Sequence, residues 1–367
     1  MRTPRGLASA LAVAAAGLIG LIGLAGCGGS GSDYDWKAAP DDAKIAAQGK
    51  DLPTYGLAPD WADYGEVVKA FCAQHGGTCA HKDTDMSSAD EIQRFDAEQK
   101  NPVGTASDIG LMWGPVAEAK GVVPPYLPPS ASKLKDWQKA KDGGWIATFV
   151  GTPAFVVNVD KVKNPPKSWA DLLKPEYKGL IATKSPASSG TGQAMVVAAA
   201  YGNGGSIDNL GPAFDYFAKL KKAGNLSDAK MSEETLEKGE APIQINYDFN
   251  GITQKAELAK KNVKLEVIVP SDGSIWAPSG LMINKYNGAK GDFLKAFMDY
   301  VLSDQAQISF AKFGARPIRF LNGDLRLPAD AKANWLPESS YAGVKEVPYS
   351  KVDPAKIVSD WEAKVVA

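Results

Sequence analysis

Histidine and cysteine are scarce in this chain, which has two histidines and three cysteines among its 367 residues. Both histidines, His75 and His81, lie in one short segment. No histidine is therefore available elsewhere as the general base of a Ser-His-Asp catalytic triad or a Cys-His catalytic dyad. The chain also lacks a Gly-x-Ser-x-Gly elbow, a Gly-x-x-x-x-Gly-Lys-Ser/Thr loop and a His-Glu-x-x-His motif. These absences argue against most catalytic functions, although a hydrolase using two distant carboxylates stays open.

Dense basic runs and long apolar segments are also missing after the first 26 residues. The formal net charge is −1, so we expect no nucleic-acid partner. No motif for a cofactor or a metal site is present, and we expect neither. The composition is that of a globular protein, with 44% hydrophobic and 23% charged residues. The length exceeds that of one ordinary core and predicts two domains.

Residues 1–26 are predicted to be a signal peptide. A short basic region precedes the almost wholly apolar segment 7–24, which is the pattern of an export signal. Leu-Ala-Gly then precedes Cys27, and this resembles a bacterial lipoprotein signal, whose cysteine is lipid-modified. The sequence thus predicts an extracytoplasmic protein that is lipid-anchored to the cell membrane, with residues 27–50 as a flexible tether. An uncleaved membrane anchor is the alternative.

The other two cysteines, Cys72 and Cys79, are close in sequence. In an exported protein such a pair indicates a disulfide. Together with His75 and His81 the same residues could supply four zinc ligands, but their spacing matches no zinc-finger pattern.

Apolar patterning predicts an α/β fold with alternating strands and helices. Two long β-rich stretches, 145–158 and 275–284, are each broken by a proline. A helix is predicted over 60–71 with Asp60 as its N-cap, another begins at Ser168, and one continuous helix is predicted over 291–313.

The chain resembles the extracellular solute-binding proteins of bacterial ABC importers, in the cluster of polyamine, ferric-iron and aminoethylphosphonate binders. The resemblance covers residues 50–320. It is carried by the ordered segments 149–155, 167–179, the Ser-Ser-Gly-Thr-Gly turn at 188–192, 269–276 and the helix 296–313.

The resemblance implies a two-lobed α/β clamp of the periplasmic-binding-protein type II kind, with interlobe crossovers near 149–155 and 270–276. A solute would be held between the lobes and passed to a membrane permease, and we expect a monomer. The predicted segments are 51–150 and 271–320 for lobe 1, 151–270 for lobe 2, and 321–367 for a C-terminal extension packing on the lobes.

The predicted ligand site is centred on a turn that leads into a helix. Ser188, Ser189, Gly190 and Thr191 would present hydroxyl and backbone N–H groups to an anion. Ordinary helix capping by these residues is the alternative. Further candidates are Thr152 at the first crossover, the aromatic residues Trp61, Trp113, Tyr247 and Trp276, and the acids Asp60, Asp108, Asp248 and Asp272. For the aromatic residues core packing is the alternative, and for the acids a solvated turn or N-cap.

The sequence departs from the better-known family members. The adjacent tyrosines of ferric-iron binders are missing at 246–249, and no acid follows Trp276 as in polyamine binders. These departures favour a small solute with a phosphonate, phosphate or carboxylate group, including a zwitterion. A polyamine or ferric-iron receptor is the alternative within the family. Outside it, the alternatives are a hydrolase using Asp108 with Asp248, and a ligand-free scaffold.

Overall fold

The computed structural model describes residues 34–367, so the predicted signal peptide and Cys27 lie outside the described residues. Two β-sheets divide the described chain into two lobes. Strand β4 (Trp145–Gly151) belongs to the first sheet and β5 (Pro153–Asn158) to the second, and they are separated by Thr152 alone. The chain returns to the first sheet between β8 (Leu265–Ile268) and β9 (Ser274–Ile283). The fold is therefore a two-lobed α/β clamp with two crossovers, as predicted.

Lobe 1 is built on the larger sheet, whose strands lie in the order β10-β4-β9-β3-β1-β2. Strands β1 and β3 are parallel, whereas β9 runs antiparallel to both β3 and β4. The strands are β1 (Asp51–Tyr55), β2 (Ala80–Thr84), β3 (Ala106–Gly110), β4 (Trp145–Gly151), β9 (Ser274–Ile283) and β10 (Arg316–Pro317). The helices are α1 (Asp42–Gln48), α2 (Tyr64–Gln74), α3 (Ser88–Ala97), α4 (Gly114–Lys120), α9 (Gly291–Tyr300), α10 (Asp304–Phe313) and α11 (Ile318–Leu321).

Lobe 2 is built on a four-stranded sheet of order β6-β7-β5-β8. Every residue of β5 and β7 is buried, as expected for central strands covered on both faces. The strands are β5 (Pro153–Asn158), β6 (Ile181–Thr183), β7 (Ile243–Tyr247) and β8 (Leu265–Ile268). The helices are α5 (Gly190–Gly202), α6 (Gly211–Lys222), α7 (Glu233–Lys238) and α8 (Asp248–Ala259).

The C-terminal residues contact both lobes. Strand β11 (Val344–Glu346) pairs in parallel with the start of β9. Helix α12 (Pro354–Trp361) follows, and Trp361 packs edge-on against Phe217 of α6 in lobe 2, with ring centroids 5.2 Å apart. We call residues 341–367 the C-terminal strap.

Residues 34–50 are folded, although the sequence predicts a flexible tether over 27–50. Tyr34 donates to Asp292 Oδ1 over 2.7 Å, and the indole N–H of Trp36 donates to the carbonyl of Lys285 over 3.1 Å. Helix α1 packs on α9 and buries Ile45. The prediction treated this polar segment as mobile and missed that Tyr34, Trp36 and Ile45 pack on lobe 1.

Three local predictions differ from the structure. Helix α2 begins at Tyr64 rather than Asp60, because Ala62 and Asp63 have φ of 48° and 70° and are not helical. The predicted helix 291–313 is two helices, since the side chain of Ser303 caps a new start by accepting from the N–H of Ala306. After Ser168 the chain forms only short 3₁₀ turns, interrupted by Pro175.

The predicted disulfide is present. Cys72 on α2 and Cys79 before β2 are bonded, with their Cα atoms 5.9 Å apart. The sulfurs are thus not free to hold zinc in this form. The Nε2 atom of His81 lies 2.9 Å from Thr54 Oγ1, and the ring of His75 packs on the ring of Phe71.

Candidate solute-binding cleft

A cavity of about 120 Å³ lies between the lobes, and we call it the inner chamber. Lobe 1 contributes its walls through Trp61, Ser88, Glu91, Asp108 and Ser279. Lobe 2 contributes Lys184, the turn 189–191 and Tyr247. At roughly 30 Å³ for each water in the liquid, this volume corresponds to about four water molecules, which suits a small solute.

A larger cavity of about 800 Å³, the outer chamber, adjoins the inner one. The two chambers share Trp61, Asp85, Lys184 and Thr191 in their walls. Most residues in the outer walls are of polar type, and the buried amide oxygens of Gln244 and Gln254 have no hydrogen-bond partner. The outer chamber thus offers polar groups next to the inner one.

Helix α5 aims its N-terminus at the inner chamber. Ser189 is its N-cap and accepts weakly from the N–H of Gly192, at 3.4 Å. The first-turn N–H groups of Gly190 and Thr191 have no acceptor within the helix, and both residues line the chamber. Lys184 lies in the same wall and adds a positive charge. This end of the chamber is therefore suited to an anion.

The lobes meet closely where two glycines face each other. A Cβ atom added to Gly190 would lie 3.3 Å from the Cα of Gly110 on lobe 1, and 3.4 Å from Ser88 Oγ. Side chains at these positions would hold the lobes apart, so glycine permits this degree of closure.

Aromatic rings close one side of the inner chamber. Trp61 from lobe 1 meets Tyr247 and Phe249 from lobe 2 edge-on, with centroids 6.3 and 5.3 Å apart. Tyr247 stacks on Phe249 at 5.4 Å. Such pairs exclude water and add to the energy of lobe closure.

Asp108, at the centre of the chamber wall, is held by neutral donors. The indole N–H of Trp61 donates to its Oδ1 over 2.9 Å, and the Tyr64 hydroxyl donates to its Oδ2 over 3.0 Å. Burial raises the pKa of Asp108 to about 8, and these hydrogen bonds only partly offset that effect.

Glu91, on α3, is a buried carboxyl in the same wall. Its side chain is 1% exposed and its Oε2 atom has no hydrogen-bond partner. Burial raises the pKa of Glu91 well above its ordinary value, and the neighbouring Asp108 raises it further. Both acids therefore favour the protonated form in the empty chamber.

The predicted site residues fall into two groups. Ser189, Gly190, Thr191, Trp61, Tyr247 and Asp108 line the inner chamber, and Asp60 lines the outer one. Ser188 is exposed next to the turn but lines neither chamber. Trp113 is buried behind Gly110, and its indole N–H has no partner.

The remaining predicted residues lie at the crossovers, outside both chambers. Thr152 donates its backbone N–H to Asp248 Oδ1 over 2.8 Å, and Tyr341 of the strap donates to Asp248 Oδ2, also over 2.8 Å. Both carboxylate oxygens of Asp248 are thus occupied, and burial raises its pKa. The predicted pairing of Asp248 with Asp108 as hydrolase acids is not supported by these positions.

Trp276 and Asp272 also have structural partners. Trp276 stacks on Tyr341, with centroids 5.1 Å apart, and the guanidinium of Arg316 lies 5.0 Å from the Trp276 ring. Asp272 accepts from the backbone N–H groups of Trp169 and Ala170. Trp276 lies at the second crossover, as the sequence predicts. Its ring, however, packs on Tyr341 of the strap and lines neither chamber.

Sequence reasoning missed Glu91, Ser88 and Lys184. Lys184 belongs to the turn that was singled out, but its charge was not considered. Ser88, Glu91, Ile92 and Phe95 are the buried residues of α3, at the spacing of one helix face. A glutamate on the buried face of a predicted helix was the sequence feature that could have identified Glu91 as a candidate binding residue.

Two features are absent from residues 34–367. No helix there has the length and apolar character needed to cross a bilayer. No group of three His, Cys, Asp or Glu side chains in that range is placed to hold a metal ion.

The chain is similar to known binding proteins in sequence. It is 27% identical over 236 residues to an uncharacterised protein of Haemophilus influenzae, covering 60% of this chain and 64% of that protein's length. It is 26% identical over 276 residues to a probable ABC transporter periplasmic-binding protein of Sinorhizobium fredii, covering 72% of this chain and 75% of that protein.

The fold is similar to solved periplasmic binding proteins. The structure of AfuA from Actinobacillus pleuropneumoniae, with fructose-6-phosphate bound, matches with a TM-score of 0.68 at 20% identity. That match covers 86% of this chain and 99% of AfuA. The family described as bacterial extracellular solute-binding protein matches residues 112–340. Its members are solute-binding transport proteins that act outside the cytoplasm, not enzymes. The chain belongs to the bacterial extracellular solute-binding proteins.

Proposed function

We propose that this protein captures a small solute with a phosphonate, phosphate or carboxylate group in the inner chamber. The observation that carries the proposal is the N-terminus of α5, where Gly190, Thr191 and Lys184 face the chamber from lobe 2. Backbone N–H groups, a hydroxyl and a lysine together favour an anion there.

Closure of the lobes would bury the solute, since the inner chamber has walls from both. The closed complex would then be recognised by the membrane permease of an ABC importer, which receives the solute. Lipid on Cys27 would hold the monomeric protein at the outer face of the membrane. Residues 34–50 pack on lobe 1 and are therefore not part of a flexible tether.

Substitution of the hydroxyl donors tests the anion site. The double variant Ser189→Ala with Thr191→Ala removes one neutral donor and the N-cap. Lost hydrogen bonds to a charged group cost about 1.5–3 kcal/mol each, so we expect at least tenfold weaker binding. Calorimetric titration with phosphonates, sugar phosphates and short carboxylates measures this.

Ser206→Ala with Ser227→Ala, in lobe 2 but outside both chambers, is the matched control and should bind as the wild type does. If the double variant at 189 and 191 binds every anionic solute with unchanged affinity, the anion site lies elsewhere. If no small solute stabilises the wild type while a protein partner binds tightly, the solute-receptor proposal is wrong.

A further inference from the structure

The acidic wall of the inner chamber has more carboxyl groups than the chamber has basic groups to pair with them. Asp85, Glu91 and Asp108 line the chamber, and Lys184 is the one lysine or arginine that lines it within the described chain. Lys184 lies on the wall assigned to the anion. A positively charged group on the solute would supply the partner that these carboxyl groups lack.

Glu91 shows that the wall is built for a ligand rather than for packing. A carboxyl 99% buried with an unbonded oxygen is costly, because desolvation is not repaid by a hydrogen bond. Its other oxygen lies where a Cβ on Gly56 would be, at 2.0 Å, so Gly56 makes space for the carboxyl. Glu91 is thus a nearly inaccessible residue that still belongs to the lining of the inner chamber.

Asp108 lies near Glu91, and its hydrogen-bond donors are neutral, so no cation of the protein stabilises its ionised form. Trp61 and Tyr64 donate hydrogen bonds to it but carry no charge. The ring of Trp61 also lines the chamber, and aromatic faces attract cations. Two carboxyls and an aromatic ring are the usual surroundings of a protonated amine.

We propose that Glu91 and Asp108 form a receptor for a protonated amine. The solute would then carry an ammonium group at this wall and its anionic group at the start of α5. The inference rests on the proposed function, because it adds a second recognition group to the same chamber. The solute class is accordingly a small zwitterion, with the two charges on opposite sides of the chamber.

The proposal has a direct consequence for protons. An ammonium group at this wall favours the charged carboxylates, so binding should release a proton and strengthen as the pH rises from 5.5 to 8. The charged and titratable groups facing Glu91 and Asp108 are Asp83, Asp85, Asp90, Tyr64, Tyr247 and, across the chamber, Lys184.

Matched pairs of probes test the amine receptor on the full chain. The pairs are 2-aminoethylphosphonate with ethylphosphonate, glucosamine-6-phosphate with glucose-6-phosphate, and γ-aminobutyrate with butyrate. Calorimetric titration should give affinities about ten- to a hundredfold higher for the amine of at least one pair. Repeating the titration in buffers of different ionisation enthalpy counts the protons released.

Two variants locate the effect. Glu91→Gln and Asp108→Asn keep the shape of the neutral side chains, and each should reduce the preference for the amine about tenfold while leaving the amine-free partner unchanged. Asp136→Asn alters an exposed carboxylate of lobe 1 outside both chambers, and should change neither affinity.

The outcomes separate the two proposals. Equal affinity for both members of every pair would overturn the amine receptor and leave the anion site standing. Affinity that falls with rising pH would also overturn it, because a protonated carboxyl would then be donating to the solute. Binding of no probe in any pair would reject both the anionic solute and the zwitterion.

Discussion

At the residue scale, the chamber holds two carboxyl groups that are neutral when it is empty. The pKa of Asp108 is raised to about 8 and that of Glu91 well above its ordinary value, both mainly by burial. Each group keeps its proton in the folded state to a higher pH than in the unfolded chain. The folded state therefore binds more protons between about pH 4.5 and 8.

From this we predict that the free energy of unfolding of the solute-free protein falls as the pH rises through that range. Each group contributes at most about 1.4 kcal/mol per pH unit. Urea denaturation at half-unit intervals from pH 4.5 to 8 measures the slope. Glu91→Gln and Asp108→Asn should each flatten it, and Asp136→Asn, at an exposed position outside both chambers, should not. A stability that rises steadily over this range in the wild type would contradict the burial of neutral acids.

At the element scale, the start of α5 positions the anion site and is also the point of contact between the lobes. Gly190 opens the helix with its Cα beside Gly110. We expect Gly190→Ala to weaken solute binding about tenfold, because the added methyl group resists closure while leaving the helix intact. The melting temperature without solute should be unchanged or slightly higher.

Gly77→Ala is the matched control, since a Cβ there would meet only the carbonyl oxygen of Cys72, at 3.9 Å, far from the cleft. Titration with the tightest-binding probe compares the two variants. Wild-type affinity in Gly190→Ala would show that the lobes can close without this contact.

At the scale of the whole molecule, the C-terminal strap fastens the two lobes together. Tyr341 donates to Asp248 at the crossover, β11 extends the sheet of lobe 1, and the ammonium of Lys221 in lobe 2 donates to the carbonyls of Val365 and Val366. Trp361 then buries its ring against Phe217. The strap is thus part of the fold that holds the cleft, and its residues link parts distant in sequence.

We predict that Trp361→Ala lowers the free energy of unfolding by about 3 kcal/mol, within the range for a large ring removed from a packed site. Guanidinium denaturation followed by circular dichroism measures the change. Val366→Ala, which shortens a side chain that is 48% exposed, should shift the midpoint very little. A midpoint in Trp361→Ala equal to that of the wild type would mean that the strap contributes no stability.

The α/β class and the disulfide follow from local information in the sequence, whereas the two crossovers were predicted from the family resemblance. Periodicity sets the strands, prolines and glycines interrupt them at 151–153, and two close cysteines in an exported chain pair readily. The turn at 188–192 is likewise visible, since its small and hydroxylated residues precede an apolar helix.

Which of the singled-out residues meet in one chamber was decided by the tertiary structure. Asp108 lies within β3 and Asp248 directly follows β7. The side chain of Asp108 faces the chamber, whereas that of Asp248 is hydrogen-bonded by Thr152 and Tyr341. Trp276 faces a strap that lies 65 residues further along the chain, at Tyr341. Glu91 gains its unusual protonation only from burial beside Asp108. The sequence determined local elements through short-range patterns, whereas long-range packing decided which side chains are left free to bind a solute.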